Sequence, residues 1–254
     1  MTTLLYDSTF EGLMTAVFEV FEYKYDVVEI VAQQNYSQEN FFAETHEVIT
    51  DFTKSDRVLK KLEENLGKQG ISQLMMVYFS ERKDLERLIL SAVWHSIKHP
   101  KQNILQDFGN EDILEISKIC RSVSRERHRM LAFVRFELLQ DEVYFAKIEP
   151  DFNVLPLIRK HFKERYADQK WMIFDLKRQY GIFYDLKEVH FFTPDSSQLQ
   201  NFRNSEQFHH EEEKKYQKLW QRYFVKTGIP ERKNMKLHIQ WVPKRYWKYL
   251  TEKY

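Results

Sequence analysis

The stretch Ala132-Phe133-Val134-Arg135-Phe136-Glu137, followed past Gln140-Asp141-Glu142 by Val143-Tyr144-Phe145-Ala146-Lys147-Ile148, decides the fold class. Its apolar residues alternate, so the period falls from that of a helix to that of a strand, and the polar trio between the two runs reads as a hairpin turn. Upstream the pattern is helical. Phe10, Leu13, Met14, Val17, Phe18 and Phe21 recur at helical spacing behind a Ser8 or Thr9 cap, and Val58, Leu59, Leu62 and Leu66 do so behind Thr53 or Ser55, as far as Gly67. Two more helices are expected over 81–98 and 111–129, with short strands at 4–6 and 46–51. Downstream, Leu155–Tyr166 reads as a helix, and 171–176 with 182–186 as a second hairpin turning about Arg178–Gly181. A charged amphipathic helix over 206–226 and a further turn or two at 243–249 complete the reading, while residues 30–45 receive no assignment.

The expected fold class is therefore α+β: a helix-rich N-terminal half packed with an antiparallel hairpin sheet and helices in the C-terminal half. No Pro-, Gly- or Ser-rich linker interrupts the chain. Residues 1–254 are read as one compact unit, or a bilobed one, mostly helical over 1–120 and mixed α+β over 121–254.

Composition narrows the class of protein. Twenty Phe, 14 Tyr and 5 Trp in 254 residues supply the core that a disordered chain lacks. A single cysteine, Cys120, excludes a disulfide framework, a cysteine-based zinc site and an iron–sulfur cluster held by this chain alone. The longest apolar run, 74–79, is too short to cross a bilayer, and the N-terminus has no signal-peptide pattern, so a cytoplasmic setting is expected. Charge is distributed unevenly. Residues 1–50 carry one basic and nine acidic side chains, 51–120 carry 11 of each, and 121–254 carry 27 basic against 18 acidic. An excess of nine positive charges in the C-terminal part suits a polyanion, unless the two halves simply neutralise each other.

Familiar catalytic signatures are missing: no phosphate-binding glycine loop, no dinucleotide fingerprint, no nucleophile elbow and no zinc-deaminase pattern. His209-His210-Glu211-Glu212-Glu213 reads as a solvated helix face rather than a metal site, because adjacent histidines on a helix point apart. Arg121, Arg125, His128 and Arg129 fall on one helical stripe, with Glu126 on another face. Such a stripe faces phosphates or pairs with the acidic N-terminal half. Trp241-Val242-Pro243-Lys244-Arg245-Tyr246-Trp247-Lys248-Tyr249 interleaves rings and cations, a composition for stacking bases and meeting phosphates, or for anchoring the chain end in the core. The candidate nucleic-acid contacts are Arg121, Arg125, Arg129, Arg135, Lys177, Arg178, Lys244, Arg245 and Trp247. Candidate acid/base or metal groups are His128, Glu149, Asp151, His161 and Asp175. Two of these have plainer readings, Asp151 as a helix cap and Glu149 as a cross-hairpin partner of Arg135.

Several segments resemble a bacterial family. They are Tyr6–Gly12, Ser124–Phe136, Ile148-Glu149-Pro150-Asp151, Leu155-Pro156-Leu157 with His161-Phe162, Tyr166–Trp171, Asp175–Arg178 with Tyr180-Gly181, and Pro243–Leu250. The family they resemble is that of bacterial DNA metabolism proteins, a domain of unknown function. Its members stand beside a radical-SAM protein assigned to DNA modification or repair, or are fused to a uracil-DNA-glycosylase-type domain. The resemblance implies a DNA-repair setting and assigns no catalytic residue. This chain is expected to be the stand-alone form, and glycosylase motifs are missing from it. The expectation is a DNA-binding accessory protein acting with a radical-SAM partner, with no metal or cofactor of its own. The acidic N-terminal segment, with Glu11, Glu19 and Glu22, is expected to help dock that partner. The alternative is a nucleic-acid-acting enzyme using His and Asp/Glu of residues 128–175.

Overall fold

A computed structural model describes residues 2–25, 28–36, 44–100, 102–227, 229 and 234–253. The chain divides between Ser124 and Arg125 into two compact units.

In the first unit, β1 (Thr2–Tyr6) lies between β2 (Val28–Ala32) and β3 (Glu44–Glu47), and both pairings are parallel. Helix α1 (Phe10–Glu22) starts at Thr9, whose hydroxyl accepts from the Gly12 N–H, and buries Leu13, Met14, Val17 and Val20. Two of its three acids are engaged inside the unit: Glu19 receives Lys54 and His46, each at 3.0 Å, and Glu22 receives Lys54 at 2.9 Å. Helix α2 (Phe52–Tyr78) is capped by Asp51, not by Thr53 or Ser55, because Asp51 takes the free N–H groups of Thr53 and Lys54. It breaks at Gly67, where φ is +68°, and then resumes. Helix α3 (Leu85–Lys98) follows. Helix α4 (Glu111–Phe133), opened by the Asn110 side chain, contains the boundary between the units. The unassigned segment 30–45 holds the end of β2 and the start of β3, which runs over Glu44–Glu47 and not over the expected 46–51, while 37–43 lie outside the described residues.

The second unit is built on a five-stranded sheet in the order β4 (Glu137–Leu138), β5 (Tyr144–Ile148), β6 (Trp171–Asp175), β7 (Tyr180–Tyr184), β8 (Val189–Phe192). Both expected hairpins form, the second with its turn at 176–179 and its return strand at Tyr180–Tyr184 instead of 182–186, because Asp175 closes the turn early; yet the sheet is mixed, not antiparallel. β5 and β6 run parallel because helix α5 (Leu155–Arg165) makes the crossover between them. The expected strand at 132–137 is also corrected. Ala132 and Phe133 continue α4, since Met130, Phe133 and Val134 fit a helical stripe as well as an alternation, and β4 keeps only two residues.

Two similar runs, Phe174-Asp175-Leu176-Lys177 and Tyr184-Asp185-Leu186-Lys187, follow one another in this part of the chain, and their likeness has a physical meaning. Asp175 accepts from the N–H groups of Lys177 and Arg178, and Asp185 from those of Lys187 and Glu188, so one aspartate-closed turn is used at two successive hairpins. Gly181 is where a side chain cannot fit: a Cβ there would lie 2.4 Å from Phe192 Cζ and 2.8 Å from the Ile173 carbonyl oxygen. Helix α6 (Ser196–Arg203) opens with a capping box between Asp195 and Gln198. The single helix expected over 206–226 is a 3-10 turn at Ser205–Phe208, a bridge between Leu139 and His209, and then α7 (Glu213–Thr227). Helix α8 (Met235–Trp241) and 3-10 turns at Lys244–Tyr249 and Thr251–Lys253 end the chain. Among the described residues no helix is long and apolar enough to cross a membrane.

Candidate functional site

Of the candidate residues, Arg129, Glu149, Asp151, Asp175, Lys177, Arg178 and Arg245 gather at one end of the second unit's sheet, where β5 and β6 finish side by side. Glu126 is at the centre. It falls on the buried stripe of α4 and is 1% exposed, so it needs donors. The Tyr246 hydroxyl donates to its Oε1 at 2.5 Å and the Asp151 backbone N–H at 2.9 Å; Arg245 Nη2 reaches Oε2 at 3.0 Å and Arg129 Nη1 at 3.5 Å. Glu126 was expected on another face from Arg129; the i,i+3 spacing instead lets the two meet. Arg245 also holds the Asp151 carboxylate at 2.6 Å. Burial, reinforced by the hydrogen bond to Glu126, raises the Tyr246 phenol far above its usual range and keeps it a donor.

A second node adjoins the first. Asp175 is fully buried and pairs with Arg178 Nη1 at 2.9 Å. Burial pushes its carboxyl upward from 3.8, against the pull of Arg178 and two backbone N–H groups. Arg178 also donates to the carbonyls of Pro150 and Asp151, and Lys177 Nζ to that of Asp151 at 3.2 Å, so the loop after β5 is clasped from the β6–β7 turn. Glu149 pairs with Lys248, not with Arg135. Burial alone would raise its carboxyl, but the hydrogen bonds from Lys248 and Tyr249 hold it below the usual value. Arg135 instead clasps Glu252 at 2.8 Å, and the Trp220 indole N–H shares that carboxylate at 2.9 Å. Asp151 does not cap α5, whose N-cap is Val154.

Each candidate carboxylate is thus matched to a cation: Asp151 to Arg245 and Asp175 to Arg178, both candidates, and Glu149 to Lys248, which was not among them. Lys177, Lys244, Arg245 and Lys248 remain at the surface, with Trp247 beside Lys244. Arg121 and Arg125 are exposed on α4, and Arg129 is half-buried against Glu126. His128 is exposed, and the half-buried His161 lies edge-on to Phe162; no hydrogen bond from either to a carboxylate is found among the described residues. No group of three or more His, Cys, Asp or Glu among the described residues could hold a metal ion. The 209–213 run is not a solvated helix face: His209 pairs with Glu137 at 3.1 Å, and buried Glu213 accepts from the Leu138 N–H at 2.8 Å. Sequence reasoning missed Glu126, Tyr246, Trp220 and Glu252. The signal for the first was present, since Ile116, Ile119, Val123, Glu126 and Met130 form one buried stripe and a carboxylate within it demands partners.

These features define an α+β protein whose second unit carries a cation-rich cluster with internally matched carboxylates. The chain belongs to the family DUF4130, a domain of unknown function, whose model matches residues 83–252. No curated protein matches it.

Proposed function

We propose that this protein binds DNA as an accessory factor in modification or repair, working with a radical-SAM partner. The observation that carries the reading is electrostatic. Residues 125–254 hold 26 basic and 18 acidic side chains, an excess of eight positive charges, and exposed Lys177, Arg245 and Lys248 gather around one cluster beside Trp247 and Lys244. Basic side chains set in place by carboxylates meet phosphates with little further loss of freedom. The resemblance to DNA metabolism proteins that stand beside a radical-SAM protein supports the partner, and the single cysteine assigns any iron–sulfur cluster to it. Hydrolysis through His128, Glu149, Asp151, His161 and Asp175 finds less support, because each carboxylate already neutralises a cation.

Fluorescence anisotropy with labelled single- and double-stranded DNA over a salt series tests the reading. Affinity should fall linearly on log–log axes, and no binding at low salt would refute it. Damaged and undamaged DNA incubated with the protein, with and without divalent metal, should be returned intact; release abolished by His161→Ala would establish the enzymatic alternative. Docking through the acidic segment predicts that Glu11→Lys weakens co-purification with the radical-SAM protein. Glu19 and Glu22 are poor probes because they hold Lys54.

A further inference from the structure

We propose that the second unit carries a seat for a single unstacked nucleobase, in an aromatic cleft that none of the candidate residues except Arg135 lines. The proposal rests on the DNA-binding reading and adds the chemical group recognised. The cleft is about 590 Å³ and is lined by Phe136, Tyr166, Trp171, Tyr216, Trp220 and Arg165, among others. That volume is within the range of roughly 300–1,000 Å³ common for small-ligand sites.

Three observations select the ligand. First, the cleft has an apolar floor and flat walls. Phe136 meets Phe162, Tyr166 and Trp171 with ring centroids 5.7, 5.4 and 6.3 Å away, while Tyr216 and Trp220 on α7 remain 50% and 40% exposed. Large rings left half-exposed around one cleft offer faces on which a planar heterocycle stacks. Second, Trp171 lines the cleft, is fully buried, and its indole N–H has no hydrogen-bond partner among the described residues. An indole is a donor only, so it calls for an acceptor such as a base carbonyl or ring nitrogen. Third, the cleft's charge suits a nucleotide. The Arg135 and Arg165 guanidiniums lie 5.7 Å from the Trp220 and Tyr166 ring centres. The nearby acids are already engaged: Glu252 by Arg135 and Trp220, and Glu213 by the Leu138 N–H and Gln217. Arg135 is neutralised by Glu252, so Arg165, exposed and with no carboxylate partner among the described residues, is the cation that a phosphodiester meets and a neutral apolar peptide would not use.

The test compares two ten-nucleotide strands of equal charge, one abasic throughout and one with a single central thymine or adenine, binding to the full chain by anisotropy. The base-bearing strand should bind about 5- to 150-fold more tightly, the worth of one stacked base. Tyr216→Ala and Trp171→Phe should each reduce that preference while leaving affinity for the abasic strand unchanged. Trp171→Phe deletes the donor but keeps a ring, and the wild-type comparison stands even if a variant fails to fold. Equal affinity for the two strands, or a preference that survives both substitutions, overturns the base seat and leaves DNA binding intact. Failure to bind either strand at low salt overturns both.

Discussion

Removing the Glu126 carboxylate should destabilise the second unit more than any surface substitution. The effect can be assembled from its partners. Tyr246 is 2% exposed and its hydroxyl donates at 2.5 Å, so Glu126→Ala leaves that hydroxyl buried without an acceptor. Such a group costs about 1–3 kcal/mol. Arg245 is 40% exposed, and its share is discounted to roughly 0–1 kcal/mol because water screens it. Arg129 at 3.5 Å adds little, and the exposed Asp151 can turn its N–H to water. The expected loss is about 3 kcal/mol, near the lower end for a broken buried pair, or about 6–12 °C in Tm for a domain of this size. Thermal and guanidinium unfolding followed by circular dichroism measure it. Tyr246→Phe removes the hydroxyl alone, so a double-mutant cycle with Glu126→Ala should give a coupling of about 1.5–3 kcal/mol, the worth of a hydrogen bond to a charged group. Glu126→Ala within about 0.5 kcal/mol of wild type, or additivity within that limit, would refute the reasoning.

Arg121→Ala with Arg125→Ala should flatten the log–log salt slope of duplex binding by about 1.8, at roughly 0.9 per phosphate, with little change among sequences. Stability should fall by no more than surface charges are worth, about 1 kcal/mol, and adding Arg129→Ala should change Tm little, since its contact with Glu126 is long at 3.5 Å. An unchanged slope would place the stripe away from phosphates. For Glu252, burial alone would raise the carboxyl, but Arg135 and the Trp220 N–H outweigh it and hold the group below its usual 4.5. The unfolded chain therefore takes up the proton first, so this stabilisation is present above about pH 4.5 and is lost as the pH falls through the depressed folded value. Glu252→Gln should flatten the acid limb of the Tm–pH curve below 4.5, and parallel curves would contradict the assignment. Gly181→Ala should cost about 1–3 kcal/mol, because its Cβ meets the Phe192 ring and the Ile173 carbonyl. Relief of that cost by Phe192→Leu in the same chain would identify the clash.

Periodicity, caps and charge were legible along the chain. The stripe from Phe10 to Phe21 became α1, and the Thr9 cap formed where a hydroxyl precedes an apolar helix. The hairpin expected from 171–176 and 182–186 also formed, with its turn closed at Asp175 by the Lys177 and Arg178 N–H groups, ahead of the expected Arg178–Gly181. The candidate carboxylates and cations were visible too, since residue type alone marks them. Their matching was not. Glu149 and Arg135 look like neighbours across a hairpin, yet α4 extends through Phe133, and each finds its partner near the C-terminus.

What the sequence by itself determined is therefore local: helix stripes, hairpin turns, one cysteine and an excess of positive charge after residue 120. Such features act over a few residues, and backbone geometry is enough to express them. Tertiary structure alone decided that β5 and β6 run parallel, that Tyr246 reaches Glu126 across 120 residues, and that Trp220 and Arg135 share Glu252. A buried carboxylate requires donors, but any element that closes over it can supply them. Which one does so depends on how the strands and the chain end pack together, and no local pattern encodes that.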